Sequence, residues 1–549
     1  MEIINYSKKR FLVVEDQRPF LMMLRGLLNT LGAQSVAVAQ NAESALGLCR
    51  KEKFDFVVTD IHLGQDKKNG YELIEELRAR KWLKPTSVML VISSDSTRHR
   101  VLGTIEKEPD DYLIKPFSQV QLKTRLNRAF HKRMELAPVY KLVEKDEINE
   151  AVDCCQTLLK GKLNYRNNCL KLLANLYLRA ENYDAAVSLS SSVNENRPVK
   201  WAQVALARGY IGQGNPSPVF DIANQLLSVN RFYVESYDLR AQAHMLEGSH
   251  EEALEDIKQA IAIAPLSIQR QLLAAQIGRV NTDLEFAKEC CHTIWQISKR
   301  SMHKDVMHFS NYVRSLLDIA EQADEKKVQN RYQQEALLTL QRSKRDEVFS
   351  RPDEQFDYAL FETIVNSRIS AIDGKILQAK QLMEEAQINI EQNFPDFPLK
   401  LAPDSIKVMT DIGDFEEAEK LTKLLTSNEE FIDPNVQYLL DKQADSQERK
   451  DAYKVHNKNG IDAYREGRYE TAADSFRSAQ ELAPVNVGVA LNLLQSLVKL
   501  LDMQRKPDAK LVKELKDVYK LVNSIPLRDM HQQKLDALTS ELTPYIKSE

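Results

Sequence analysis

Short apolar runs alternate with amphipathic stretches over the first ~130 residues of the chain, and after that the runs disappear. The runs are Arg10–Val14, Gln34–Ala39, Phe54–Thr59, Val88–Ile92 and Asp111–Ile114. Each is short and bounded by turn or charged residues, as strands buried on both faces of a parallel sheet are. With helical patterns between them, they predict an α/β doubly wound fold on a five-stranded parallel sheet. The first helix is well punctuated. Pro19 falls in the first turn, where its missing N–H costs nothing, Leu21, Leu24 and Leu28 share a face, and Gly32 ends it.

From Ala137 onward the pattern becomes helical and repetitive. A small residue recurs at Ala151, Ala186, Val219, Ala253 and Ala287, with a period of about 34 residues. In YDLRAQAHMLEGSHEEALEDIKQAIAIAP the marked positions are Ala241, Gly248, Ala253, Ile257, Ala260 and Pro265. In GIDAYREGRYETAADSFRSAQELAP they are Gly460, Gly467, Tyr469, Ala472, Phe476, Ala479 and Pro484. Small residues let two antiparallel helices approach, larger apolar ones fill the groove, and proline ends the second helix. These stretches resemble tetratricopeptide repeats, which implies an all-α superhelix of roughly eight or nine hairpins with a concave protein-binding groove. Weaker copies surround Gly374 and Gly413. Residues ~300–360 break phase and are highly charged, so they are expected to form long solvated helices. Phe394–Pro403 and Ala444–Asp451 read as joints, and Leu511, Leu515 and Val518 give the terminal helices one apolar face suited to capping.

A length of 549 residues rules out a single small domain, and 43% hydrophobic with 28% charged residues rules out global disorder. A net charge of −4 supplies no basic field for nucleic acid. No apolar run reaches the ~18 residues of a membrane span, and the start carries no signal-peptide pattern, so a cytoplasmic protein without membrane insertion is expected. Of the six cysteines, Cys154-Cys155 and Cys290-Cys291 are adjacent pairs, expected to be reduced core residues rather than ligands.

Candidate chemistry lies where the apolar runs end, because open parallel sheets place their sites beyond the carboxyl ends of the strands. Those residues are Glu15-Asp16, Asp60, Ser93-Ser94 and Lys115-Pro116. Three carboxylates, a hydroxyl and a lysine converging at one sheet edge would bind a hard cation and leave a carboxylate to react with a phosphoryl group. The motifs LVVEDQRPF, VVTDIHL, VMLVISSD and DYLIKPF, in this order, resemble the flavodoxin-like receiver domain of bacterial two-component response regulators, the chemotaxis-regulator-like module.

The resemblance implies roles, position by position. Asp60 would be the phosphoacceptor. Glu15, Asp16, Asp60 and the backbone carbonyl of His62 would hold Mg²⁺, with Glu15 acting through water. Ser93, Ser94 and Lys115 would bind phosphoryl oxygens, and Tyr112 would be the aromatic switch. Pro116 would follow a cis bond that turns Lys115 into the pocket. His62 and Asp95 occupy positions that influence phosphoryl lifetime in the family, although a solvated loop histidine is the commoner reading of His62. Leu63-Gly64 replaces the family's usual Met-Pro, and Gln65–Asn69 lengthens the following loop.

The domains expected are a receiver at 1–130, tetratricopeptide repeats at 131–300, irregular long helices at 301–360, further repeats at 361–505 and capping helices at 506–549. No helix-turn-helix, Walker loop or HExxH motif follows residue 130, which argues against a DNA-binding or separate enzymatic output. The expected function is a phosphorelay response regulator. A sensor histidine kinase phosphorylates Asp60, and the repeat array, in a monomer or a homodimer, changes its availability to a protein partner. In the alternative, the array grips a kinase or another response regulator and controls its phosphotransfer.

Overall fold

The computed structural model describes residues 4–64, 68–94, 109–195, 197–299, 301–349, 353–442, 446–504 and 507–546. The chain forms two compact units, Met1–Lys304 and Asp305–Glu549.

The first unit opens with β1 (Arg10–Val14), β2 (Ser35–Ala39), β3 (Phe56–Asp60), β4 (Val88–Ser94) and β5 (Asp111–Lys115), all parallel in the order β2-β1-β3-β4-β5. Alternation along the strands divides the core into two layers. Leu12, Val14, Val57, Met89 and Val91 pack under α2 (Ala42–Lys51) and α3 (Gly70–Ala79). Phe11, Val13, Phe56, Val58, Leu90 and Ile92 face α1 (Arg18–Thr30) and α4 (Gln119–Glu135). Phe11 stacks on Phe56 with ring centroids 4.6 Å apart, and Phe130 of α4 extends the stack. Pro19 stands in the first turn of α1, Leu21, Leu24 and Leu28 are buried, and Gly32 adopts φ +98° beyond its end.

Two contacts tie this sheet to the helices that follow. Asp110, just before β5, accepts hydrogen bonds from the Met89 amide (2.8 Å), Arg78 of α3 (3.0 Å) and Arg133 of α4 (2.6 Å). The Arg133 guanidinium also donates to the Pro85 carbonyl and lies 4.0 Å from the ring centre of Tyr140, in α5 (Ala137–Glu144). At the end of α4, the Glu135 carboxylate accepts from the amides of Asn164 (2.9 Å) and Tyr165 (3.0 Å), the residues leading into helix Arg166–Arg179. It thereby satisfies donors that a helix start leaves open.

Antiparallel helix pairs then succeed one another: α5 with Ile148–Lys160, Arg166–Arg179 with Tyr183–Asn194, Lys200–Gly212 with Ser217–Val229, Val234–Glu247 with His250–Ile263, and Ile268–Val280 with Leu284–Ser298. The periodic residues Ala151, Ala186, Val219, Ala253 and Ala287 are all buried on the second helix of their pairs. Each of the six cysteines is free, and only Cys154 is not fully buried.

The second unit continues in helix pairs, from Val306–Gln322 to Asp529–Ile546. Helix Gln447–Arg465 packs on Tyr469–Leu482, where a β-carbon on Gly460 would come within 2.6 Å of the Phe476 ring. Only glycine permits that approach. Residues 447–451, expected to be part of a joint, lie inside this helix.

Helix Val306–Gln322 departs from the solvated expectation. It is buried around most of its circumference and carries its polar groups inward. Arg314 makes a bidentate pair with Asp404 (3.1 and 2.7 Å) and a further bond to Asn311, and Arg368 pairs with Asp318 and Glu321. Buried charges are tolerated where they are paired and hydrogen-bonded, which is why the few charges of this helix belong to the interior, whereas the highly charged helix Lys326–Ser343 buries only Tyr332, Gln333, Ala336, Leu340 and Ser343 and is otherwise solvated as expected. Among the described residues, no helix is long and apolar enough to cross a membrane.

Candidate functional site

The register of the sheet brings the strand ends together. Asp60 lies opposite Ile92, Ser93 opposite Ile114 and Ser94 opposite Lys115, so β3, β4 and β5 finish at one edge. Glu15 follows β1 at the same edge and is fully buried, while Asp60 is 7% exposed. The Lys115 ammonium joins them, donating to Glu15 Oε2 at 3.0 Å and to Asp60 Oδ2. The Lys115–Pro116 peptide is cis.

The charges are unevenly balanced. Burial, reinforced by the charge of Asp60, pushes the Glu15 carboxyl up to about 7 despite the pull of Lys115. Burial works against the Lys115 charge, but its bonds to Asp60 and Glu15 outweigh that and hold the ammonium above its ordinary value.

The expected trio of carboxylates is only partly assembled. Glu15 and Asp60 meet through Lys115, whereas Asp16 is exposed. Successive residues leaving a strand point to opposite sides, so adjacent acids do not converge automatically. Among the described residues, no three His, Cys, Asp or Glu side chains gather closely enough to form a metal site. The chemistry of the donors still suits a hard divalent cation, because they are carboxylate oxygens at one strand edge, and burial, reinforced by the charge of Asp60, holds the Glu15 carboxyl above its ordinary value.

The remaining expected residues fall around this pair. Ser93 is buried at the end of β4, beside β5. The backbone of Ser94 is aligned with that of Lys115. Tyr112 packs against the α2/α3 layer, its ring 6.5 Å from that of Tyr71 and tilted by 51°. The His62 side chain is exposed, and its amide donates to Asp60 Oδ1 at 3.2 Å. Asp95 and residues 65–67 of the long loop lie outside the described residues.

Three supports were not foreseen from the sequence. The Phe20 ring, on α1, lies 3.9 Å from the Lys115 ammonium and meets Phe117 edge-on, giving the cation an aromatic face. Gly70, the first residue of α3, donates its amide to the Ile61 carbonyl at 2.8 Å, and a β-carbon there would sit 2.0 Å from the Asp60 carbonyl oxygen. Asn69 and Glu72 form a capping box that holds this turn. The third is the Asp110–Arg133 joint described above. Phe20 and Phe117 were visible within the motifs LVVEDQRPF and DYLIKPF, but nothing in their spacing marks them as partners of the lysine.

Comparison with known proteins adds the following. Residues 11–127 match the response regulator receiver domain. The chain is 30% identical to the chemotaxis protein CheY-3 of Vibrio cholerae serotype O1 over 132 residues, 24% of this chain and 99% of that protein. It is 32% identical to the alkaline phosphatase synthesis transcriptional regulatory protein PhoP of Bacillus subtilis over 140 residues, 26% of this chain and 55% of that protein. Among solved structures, a tetratricopeptide repeat protein from Parabacteroides merdae aligns with 53% of this chain and 98% of its own, at 12% identity and a TM-score of 0.29.

Proposed function

Since the chain belongs, through residues 11–127, to the response regulator receiver family, we propose that Asp60 accepts a phosphoryl group from a sensor histidine kinase and that the helical array answers by changing its grip on a protein partner. The observation that carries this reading is the pairing of a buried, strand-end Asp60 with the Lys115 ammonium, beside buried Glu15 and Ser93.

In the transfer, an Asp60 carboxylate oxygen attacks phosphorus, the new P–O bond forms as the P–N bond of phosphohistidine breaks, and the imidazole leaves with the electron pair and takes a proton from solvent. Glu15, Asp16, Asp60 and the His62 carbonyl would hold Mg²⁺, which when bound neutralises charge on the transferring group. Lys115 exchanges its bond to the Asp60 carboxylate for one to a phosphoryl oxygen, and the Ser93 hydroxyl donates to another. Movement of those two groups alters the packing around Tyr112, and the change is a shift between two populations of the fold.

The helix pairs beyond α4 are the output. They offer extended helical surfaces suited to protein recognition, and the reading assigns them neither a DNA-binding nor an enzymatic role. Incubating the full chain with Mg²⁺ and acetyl phosphate, and following intact mass, tests the first step. One added phosphoryl group on the wild type and none on Asp60→Asn is expected. Equal modification of both proteins, or of neither even with a histidine kinase supplied, would overturn the proposal.

A further inference from the structure

We infer that Phe20 is the positioning residue that keeps the Lys115 ammonium beside Asp60 while the phosphoryl group is transferred. The inference rests on Asp60 being the phosphoacceptor and gives a role to a side chain that the transfer step above does not use.

A lysine ammonium is a compact charge with three donors on a flexible four-carbon stem, so its position is set by what surrounds it. Among the described residues, three groups lie against this one. Glu15 Oε2 and Asp60 Oδ2 accept from it, the former at 3.0 Å, and the centre of the Phe20 ring lies 3.9 Å from Nζ. The Lys115 side chain is 22% exposed, so water competes for the same donors.

The transfer changes both carboxylate contacts. A bound Mg²⁺ would draw on oxygens of Glu15 and Asp60, and an Asp60 oxygen bonded to phosphorus no longer belongs to a free carboxylate. The Phe20 ring is altered by neither event, because a neutral hydrocarbon face neither ligates a hard cation nor reacts. It also attracts an ammonium over a broad area, out to about 6 Å from the ring centre. Lys115 can therefore pass from the Asp60 oxygen to a phosphoryl oxygen without leaving the ring.

The ring is itself held in place. Phe20 stands in the first turn of α1, directly after Pro19, whose fixed φ suits that turn. It is partly buried against the layer under α1 and α4, and it meets Phe117 edge-on, with ring centres 6.0 Å apart and planes at 89°. Phe117 follows Lys115 by two residues, so the exit of β5 carries both the cation and the ring that braces its aromatic neighbour. Packing alone would be served by leucine, as at Leu21, Leu24 and Leu28 of the same helix. An aromatic face is what leucine lacks.

The test treats the full chain with Mg²⁺ and acetyl phosphate. An Asp60 oxygen forms its bond to phosphorus as the bond from phosphorus to the acetate oxygen breaks, and acetate leaves with the electron pair. Initial rates are read by intact mass. Phe20→Leu should label about three- to tenfold more slowly, which at 1.4 kcal/mol per decade is about 0.7–1.4 kcal/mol, the size of a partly exposed cation–π contact. Phe20→Tyr or Phe20→Trp, which keep an aromatic face, should stay within about twofold of the wild type. A second readout needs no phosphorylation. In a chain isotopically labelled at the lysine ε-carbon, the Lys115 NMR signal, identified by its loss in Lys115→Arg, should be shifted upfield by the ring and return towards the ordinary lysine position in Phe20→Leu. Wild-type labelling by Phe20→Leu, slow labelling by both aromatic variants, or a Lys115 signal indifferent to Phe20→Leu would each overturn the role of Phe20 alone. A wild type that never labels overturns the transfer itself, and this role with it.

Discussion

Replacing Asp110 with asparagine would keep the shape of the joint between sheet and array while removing its negative charge. The Asp110 side chain is 3% exposed and that of Arg133 7%, so their pair sits in an almost dry environment. Breaking such a pair by neutralising one member costs about 3–5 kcal/mol, because the remaining charge stays buried without compensation. Arg78, at 25% exposure, is partly screened and adds under about 1 kcal/mol.

At 1.4 kcal/mol per decade, the ~3–5 kcal/mol of the Asp110–Arg133 pair corresponds to a loss of roughly 140- to 4,000-fold in amide protection wherever opening of the joint limits exchange. Hydrogen exchange on the intact chain reads this directly, whereas a global unfolding free energy is poorly defined for a protein of several units. Protection should fall together in β4, β5, α4 and α5, because Met89, Asp110, Arg133 and Tyr140 belong to one network. Neutralising both charges, as Asp110→Asn with Arg133→Met, should recover part of the loss. A change below about fivefold in the single variant, or one confined to β5, would refute the idea that the joint is one cooperative element.

The network also has an acid limit. Burial opposes the Asp110 charge, but Arg133 and Arg78 together outweigh it and hold the carboxyl below its ordinary value. A depressed folded-state pKa contributes stability that is complete above the unfolded value of ~3.9 and is lost as pH falls through the folded value. Wild-type protection at the joint should therefore be flat from about pH 5 to 8 and decline only below about 4.

Glu15 should show the opposite sign, because its carboxyl is raised from 4.5 to about 7 in the folded chain. The folded state then binds the extra proton, so stability without Mg²⁺ falls as pH rises across that window, and Glu15→Gln should flatten the slope measured by urea unfolding at several pH values. Gly70→Ala places a β-carbon 2.0 Å from the Asp60 carbonyl oxygen, so the turn must move. A loss of about 1–3 kcal/mol and slower acetyl-phosphate labelling of Asp60 are expected, checked by thermal melting and intact mass. Ala253→Leu overpacks a helix-pair interface that is fully buried. It should cost about 1–3 kcal/mol and loosen exchange in Val234–Ile263 while leaving labelling of Asp60 unchanged.

What the sequence made legible follows from what local patterns encode. Buried parallel strands are near-continuous apolar runs, so β1 to β5 could be located, and the residues that interrupt those runs include Glu15, Asp60, Ser93 and Lys115, which the sheet register gathers at one edge. The helix pairs were visible because Ala151, Ala186, Val219, Ala253 and Ala287 repeat with a fixed period and are all buried. Contacts set by three-dimensional register stayed hidden. Nothing local distinguishes Phe20 over Lys115 from ordinary packing, and Asp110 looks like any charge before a strand until Arg133 arrives from α4. Helix Val306–Gln322 was misread because Arg314 resembles a solvent-facing residue unless Asp404, far away in sequence, is known to cover it. Charge pattern reports where solvent is only when the charges have no partners inside.

The Glu135 cap on the approach to helix Arg166–Arg179 bears on where this chain can be cut. The receiver match ends at residue 127, before Arg133, Glu135 and Tyr140. A fragment trimmed to that border would keep Asp110 while discarding its closest guanidinium, because Arg133, like the Glu135 cap of Asn164 and Tyr165, stays with the severed array. Shuffling this receiver onto another output, in the laboratory or in a genome, therefore preserves its folding only if the transplanted piece runs on through about residue 144, the end of α5.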